Sequence, residues 1–76
     1  MATLKVCVRK SCPDGDPVSG ARVQIDADYG GPTATTDSTG CCYFMYLQSG
    51  YHTVHVNGKF CCRVLVIYYN EVCCEG

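Results

Sequence analysis

Tryptophan is absent from this 76-residue chain, and only two histidines occur, His52 and His55. Charge is scarce as well: Asp, Glu, Lys and Arg together make up 17% of the residues, below the usual quarter. The basic residues are scattered and the net charge is -1, which argues against a nucleic-acid partner, since no basic patch forms. No apolar run approaches the roughly 18 residues needed to span a bilayer, so no membrane span is expected. The segment after Met1 lacks the apolar stretch and cleavage site of a signal peptide. No stretch carries a helical period with caps. A redox enzyme would place a C-x-x-C motif at a helix N-terminus to depress a thiol pKa, and that motif is missing. The two histidines lie three residues apart in a strand-like segment and face opposite ways, so neither is poised as a base beside a nucleophile. No enzymatic activity and no cofactor are expected.

Cysteine is the residue present in excess. Eight occur, at positions 7, 12, 41, 42, 61, 62, 73 and 74, and six of them form adjacent pairs. In so short a chain this density marks a disulfide scaffold. A domain of this size buries only about 60% of its unfolded surface, so staples matter to its stability. Successive residues of a strand point to opposite faces of the sheet. A Cys-Cys pair in a strand therefore aims one sulfur inward and the other outward, where it can reach a neighbouring subunit. Metal binding is disfavoured, because zinc sites use C-x2-C knuckles or added histidines, and adjacent strand residues diverge. Eight cysteines allow on the order of a hundred complete pairings, and their connectivity stays open.

The hydrophobic pattern is β throughout. Residues 3–10 alternate, with Leu4, Val6 and Val8 on one face and Lys5, Cys7 and Arg9 on the other. Pro13-Asp14-Gly15-Asp16-Pro17 is a turn-rich loop. Strands are expected over residues 21–26, 33–36, 41–47 and 51–56. Asn57-Gly58 is a strong hairpin signal leading into a last strand over residues 59–69. Strands at this spacing imply one small antiparallel β-sandwich over residues 1–70, with residues 71–76 as a Cys-containing C-terminal tail.

Val18-Ser19-Gly20-Ala21-Arg22-Val23, then Thr36-Asp37-Ser38-Thr39-Gly40, then Phe44, Leu47, Gly50 and Val54 follow a recurring spacing. It resembles the V-x-G-A-x-V … T-D-x-x-G-x-Y-x-F-x-x-L-x-x-G-x-Y-x-V pattern of carboxypeptidase-regulatory-like and Cna-B-like domains. The resemblance implies a transthyretin-like, Ig-like β-sandwich and a module that is mostly non-catalytic, found in adhesins, surface stalks, transporters and virion proteins. Cys42 stands where that pattern has an aromatic residue, and His52 where it has tyrosine. The Lys–Asn isopeptide bond of many Cna-B-like domains would need Lys5 and Asn70, but Lys5 falls on the polar face of its strand. The resemblance points Cys42, Phe44, Leu47, His52, Val54 and Val56 into the core, leaving Cys41, Tyr43 and Met45 outside.

In the last strand Arg63 shares a face with Cys61, Leu65, Ile67 and Tyr69. Burying an unpaired arginine is costly, so the opposite face, with Cys62, Val64, Val66 and Tyr68, is expected inside. Intradomain disulfides are then expected from Cys42, Cys62 and Cys12. Intersubunit bridges are expected from Cys73 and Cys74 on the tail, with Cys7, Cys41 and Cys61 behind them; the alternative for Cys73 and Cys74 is a pair of internal staples that close the C-terminus onto the sheet. Arg63, Leu65, Ile67 and Tyr69 form an exposed, largely apolar stripe of the kind used as a contact surface.

Six tyrosines offer material for a carbohydrate- or protein-binding face, although cross-strand packing accounts for them. Asp14, Asp16, Asp26 and Asp28 lack the spacing of a calcium loop and suit turns. The expectation is a non-enzymatic structural protein that self-associates or joins other structural subunits and is locked by disulfides. It would sit on a virion, as a bacteriophage decoration, collar or tail-associated protein, or in an extracellular filament. Such a chain can be made in a reducing cytosol without a signal peptide and oxidise after release. The alternative is a secreted, monomeric, Cys-rich binding module with every disulfide internal.

Overall fold

The computed structural model describes residues 1–76 and contains seven strands with one short helical turn. The strands are β1 (Ala2–Arg9), β2 (Arg22–Ile25), β3 (Thr33–Thr35), β4 (Cys41–Leu47), β5 (Gly50–Val56), β6 (Lys59–Val66) and β7 (Tyr69–Glu75). A 3-10 turn, Ala27–Tyr29, sits between β2 and β3. One sheet has the order β4-β1-β7 and the other β3-β2-β5-β6. The two pack face to face as a small all-β sandwich. Neighbouring strands run antiparallel except β1 and β7, which pair in parallel.

The alternating residues of β1 explain the core. Ala2, Leu4, Val6 and Val8 are fully buried, and they meet Val23, Ile25, Val54 and Val66 from the opposite sheet. Each of these Val, Leu and Ile side chains contributes about 1.5–3 kcal/mol on leaving water. Cys42, Phe44, Leu47, His52, Val54 and Val56 all face inward, in agreement with the orientation the sequence pattern implies.

The turn residues have specific work. Asn57 and Gly58 both adopt positive φ, at 50° and 85°, as a tight hairpin between β5 and β6 requires. Thr36, buried at the end of the β3 segment, accepts a hydrogen bond from the Ala21 amide at 2.9 Å and donates one to the Val18 carbonyl at 2.7 Å. Asp37 Oδ1 accepts from the Thr39 amide at 2.9 Å and the Cys41 amide at 3.3 Å, closing the turn that launches β4. The T-D-x-x-G segment thus ties the two sheets together where they swap strands. No helix is long and apolar enough to cross a membrane.

Two expectations are corrected. Residues 71–76 do not form a tail: β7 lies alongside β1 in register from Thr3↔Tyr69 to Arg9↔Glu75. The last expected strand also breaks in two. It bends at Ile67 and Tyr68, so Tyr68, expected inside, is 82% exposed.

Candidate functional site

The cysteines converge on one end of the sandwich. Register places Cys41, Cys7 and Cys73 side by side across the outer face of the β4-β1-β7 sheet. Cys7 and Cys41 are direct cross-strand partners, 4.0 Å apart at Cα, and are joined by a disulfide. Cys73 is bridged to Cys12 in the loop after β1, with 6.0 Å between their Cα atoms. That loop is folded back by hydrogen bonds from the Lys10 amide to the Asp16 carbonyl, and from Arg9 Nη1 to the Gly15 carbonyl at 3.0 Å. Glu75 Oε2 accepts from the Cys12 amide at 3.3 Å and holds the loop over β7.

The third bridge joins Cys61 to Cys74 and links the two sheets. It depends on a β-bulge. Val54 pairs with Cys62, but His55 pairs with Phe60, leaving Cys61 as the extra residue of β6. Arg63 and Leu65 stay outside, Val64 and Val66 inside, and both Cys61 and Cys62 pack against the core edge. Cys74, which is 1% exposed, reaches them from β7. The bulge also turns Phe60 outward, where its ring meets His55 edge-on at 5.6 Å.

This arrangement differs from the expected division of cysteines. Cys7, Cys41 and Cys61, expected between subunits, are bridged within the chain, and Cys73 and Cys74 follow the alternative of internal staples. An outward sulfur can close within its own subunit when its cross-strand neighbour is also cysteine, as for Cys7 and Cys41. It can also do so when a loop folds over it, as Cys12 does for Cys73. Cys42 and Cys62, expected to be bridged, are the two free thiols. Cys42 lies opposite Val6 in one sheet and Cys62 opposite Val54 in the other. Of the expected intradomain candidates, Cys12 alone is bridged.

The free thiols occupy different surroundings. Burial, reinforced by the Asp37 carboxylate, pushes the Cys42 thiol up to about 11. Burial also raises the Cys62 thiol. The sulfur atoms of Cys61, Cys62 and Cys74 all lie within 4.8 Å of one another, the one cluster with the spacing of a metal centre. With Cys61 and Cys74 in a disulfide, only one thiol of the trio remains to ligate.

The apolar stripe is partly reassembled. Leu65 pairs with Tyr51 on the outer face of β5-β6, and the Arg63 guanidinium stacks 4.2 Å from the centre of the Tyr51 ring. Ile67 sits on the bend beyond β6, followed by the exposed Tyr68. Tyr69 is turned away onto the outer face of the other sheet, where its hydroxyl donates to Glu71 at 2.6 Å. That hydrogen bond pushes the Tyr69 phenol up to about 12. Alternation does not carry across the bend, so Tyr69 leaves the stripe and Tyr51 joins it. Tyr51 was missed because it comes from the neighbouring strand.

His52 has a structural place. Its Nδ1 faces Asp26 Oδ2 at 2.7 Å and its Nε2 faces the Gln48 carbonyl at 2.8 Å. Burial alone would lower its pKa, but the Gln48 carbonyl and the Asp26 carboxylate outweigh that and raise it. Both ring nitrogens thus face acceptors, an arrangement that favours the protonated ring. No protein-family model matches this chain, and neither does any curated protein sequence.

Proposed function

We propose that the protein is a non-enzymatic assembly module whose β5-β6 face docks on a second copy of the chain or on another structural subunit. One observation carries this reading. Tyr51 and Leu65, exposed by 60% and 41%, pair on the outer face of β5-β6 with the Arg63 guanidinium stacked on Tyr51, and Ile67 and Tyr68, exposed by 46% and 82%, follow on the bend that ends β6. Aromatic residues and arginine are the side chains that anchor protein interfaces. Contiguous apolar surface of this kind on a small domain marks a contact surface. The resemblance to carboxypeptidase-regulatory-like and Cna-B-like domains, mostly non-catalytic modules, supports the same reading.

Three internal disulfides are consistent with an oxidising, extracellular setting. A virion surface protein of a bacteriophage or an extracellular filament subunit fits that setting. The bridges rigidify each subunit, and apolar contacts set the geometry between subunits. A second reading, a secreted monomeric binding module, is favoured by the closure of six cysteines inside the chain.

Sedimentation of the native protein over a range of concentrations separates the two. Assembly predicts an oligomer that Leu65→Asp or Ile67→Asp converts to a folded monomer. A wild-type monomer at every concentration would favour the binding module. An oligomer indifferent to both substitutions would move the interface elsewhere.

A further inference from the structure

A free thiol beside a disulfide is a reactive arrangement, and this molecule contains one. Cys62 is unpaired, and its sulfur lies within 4.8 Å of both sulfurs of the Cys61–Cys74 bridge. The second free thiol, Cys42, belongs to no such cluster, although it adjoins the bridged Cys41 in sequence. The cause of the difference is the bulge. Cys61 and Cys62 are turned to the same side of β6, whereas Cys41 and Cys42 follow the ordinary alternation of β4.

A surface groove opens next to the cluster. It has a volume of about 460 Å³ and is lined by Val56, Asn57, Lys59, Phe60, Cys61, Glu75 and Gly76. Cys61 is the one residue of the trio that lines this cleft, and Lys59 supplies a cation there. A neighbouring cation favours the thiolate form of a cysteine.

We propose that Cys61 is a latent modification site: Cys62 opens the Cys61–Cys74 bridge by internal exchange, and the freed Cys61 takes up a low-molecular-weight disulfide. In the first step the Cys62 thiol gives its proton to solvent and its thiolate attacks Cys74 Sγ. The Cys62–Cys74 bond forms as the Cys61–Cys74 bond breaks, and the electron pair leaves on the Cys61 sulfur. This step involves no net oxidation. In the second step the Cys61 thiolate attacks a small disulfide, forming a mixed disulfide and releasing the other half as a thiolate. The protein thiol is oxidised and the small disulfide is reduced.

Attack at Cys74 is the productive direction for two reasons. Attack at Cys61 would close a ring around a single peptide bond. It would also expel a thiolate at Cys74, which is 1% exposed, and burying a charge there is costly. The exchange keeps β6 stapled to β7, because Cys62 replaces Cys61 in a loop one residue shorter. Chain entropy therefore barely distinguishes the two pairings. Burial raises the Cys62 thiol and slows the attack at neutral pH, and capture of the freed Cys61 thiolate by a small disulfide draws the exchange forward. The groove pairs Lys59 with Glu75, a cation and an anion suited to a peptide-like disulfide that carries both charges.

The test incubates the native full-length chain with glutathione disulfide, quenches with acid, and locates the adduct by tandem mass spectrometry. The expected product carries the adduct on Cys61 together with a Cys62–Cys74 bridge. Its formation is lost in Cys62→Ser and kept in Cys42→Ala. The Cys61→Ser protein gives a second reading that needs no adduct: Cys62 bridges Cys74 and leaves Cys42 as the sole free thiol. An adduct on Cys62 with Cys61–Cys74 intact overturns the proposal. So does an adduct on Cys61 that survives Cys62→Ser, or the absence of any adduct from the folded wild type. Cys61→Ser protein with Cys62 and Cys74 both reduced overturns it equally.

Discussion

β4 and β6 each carry an adjacent pair of cysteines, and in each the bridged residue comes first and the free thiol second. The likeness ends there. In β4 the strand is regular at the pair, so Cys41 faces out to Cys7 and Cys42 faces into the core beside Val6. In β6 a single extra residue turns both sulfurs towards Cys74. The same Cys-Cys dipeptide thus yields a sealed thiol in one sheet and a thiol in reach of a disulfide in the other. The register of the opposing strand, not the pair itself, decides which chemistry a Cys-Cys dipeptide has.

The regular pair has no substitute partner, so breaking it has the larger consequence. In Cys41→Ser, Cys7 faces out and Cys42 faces in, and the bridge closing 34 residues of sequence is lost outright. Chain entropy alone assigns such a loop about 3–4 kcal/mol, a large share of the net stability of a domain this small. Urea unfolding should show a drop of that order. A near-normal midpoint would mean that Cys42 can swing outward to replace Cys41, and that the two pairs are alike after all.

The sealed character of Cys42 sets a pH limit. Its thiol is pushed up to about 11, above its unfolded value, so the native state keeps a proton that the unfolded chain sheds first. The stability this provides is whole below about pH 9 and is lost as pH climbs towards about 11, on the order of 2 kcal/mol in all once solvent screening is allowed for. Urea midpoints at the two ends of that window, compared between the wild type and Cys42→Ala, isolate the contribution. Equal alkaline loss in both proteins would show that Cys42 is not the sealed group.

How much of this was legible beforehand follows from what local pattern can encode. Leu4, Val6 and Val8 announce β1, Asn57-Gly58 announces its hairpin, and the inward set from Cys42 to Val56 follows from alternation and motif spacing. The bulge at Cys61 was not legible. It is a mismatch between β6 and the His55 region of β5, and neither strand alone records it. β7 was hidden for a related reason. Asn70, Val72 and Cys74 alternate with Tyr69, Glu71 and Cys73, but their partner is β1, in parallel and far away in sequence. Bridging was misassigned for the same cause, because two of the three disulfides need β7 or the bulge in place. The exposed side of Arg63 and Leu65 was legible because burial of a lone arginine is costly wherever the strand pairs.

The smallest expected effect is the sharpest contrast with β4. Cys61→Ser removes a bridged cysteine just as Cys41→Ser does, yet the sulfur of Cys62 already lies within 4.8 Å of Cys74 and can take its place. The cost should fall below about 1 kcal/mol, the range of substitutions that break no essential contact. The double variant Cys61→Ser/Cys62→Ser has no replacement sulfur, and the bridge, with a sequence separation of 13, is gone. That loop is worth about 3 kcal/mol. Non-additivity of this size between adjacent residues is the signature of two side chains serving one partner. If Cys61→Ser alone costs as much as the double variant, Cys62 does not reach Cys74, and the two Cys-Cys pairs differ in burial but not in chemistry.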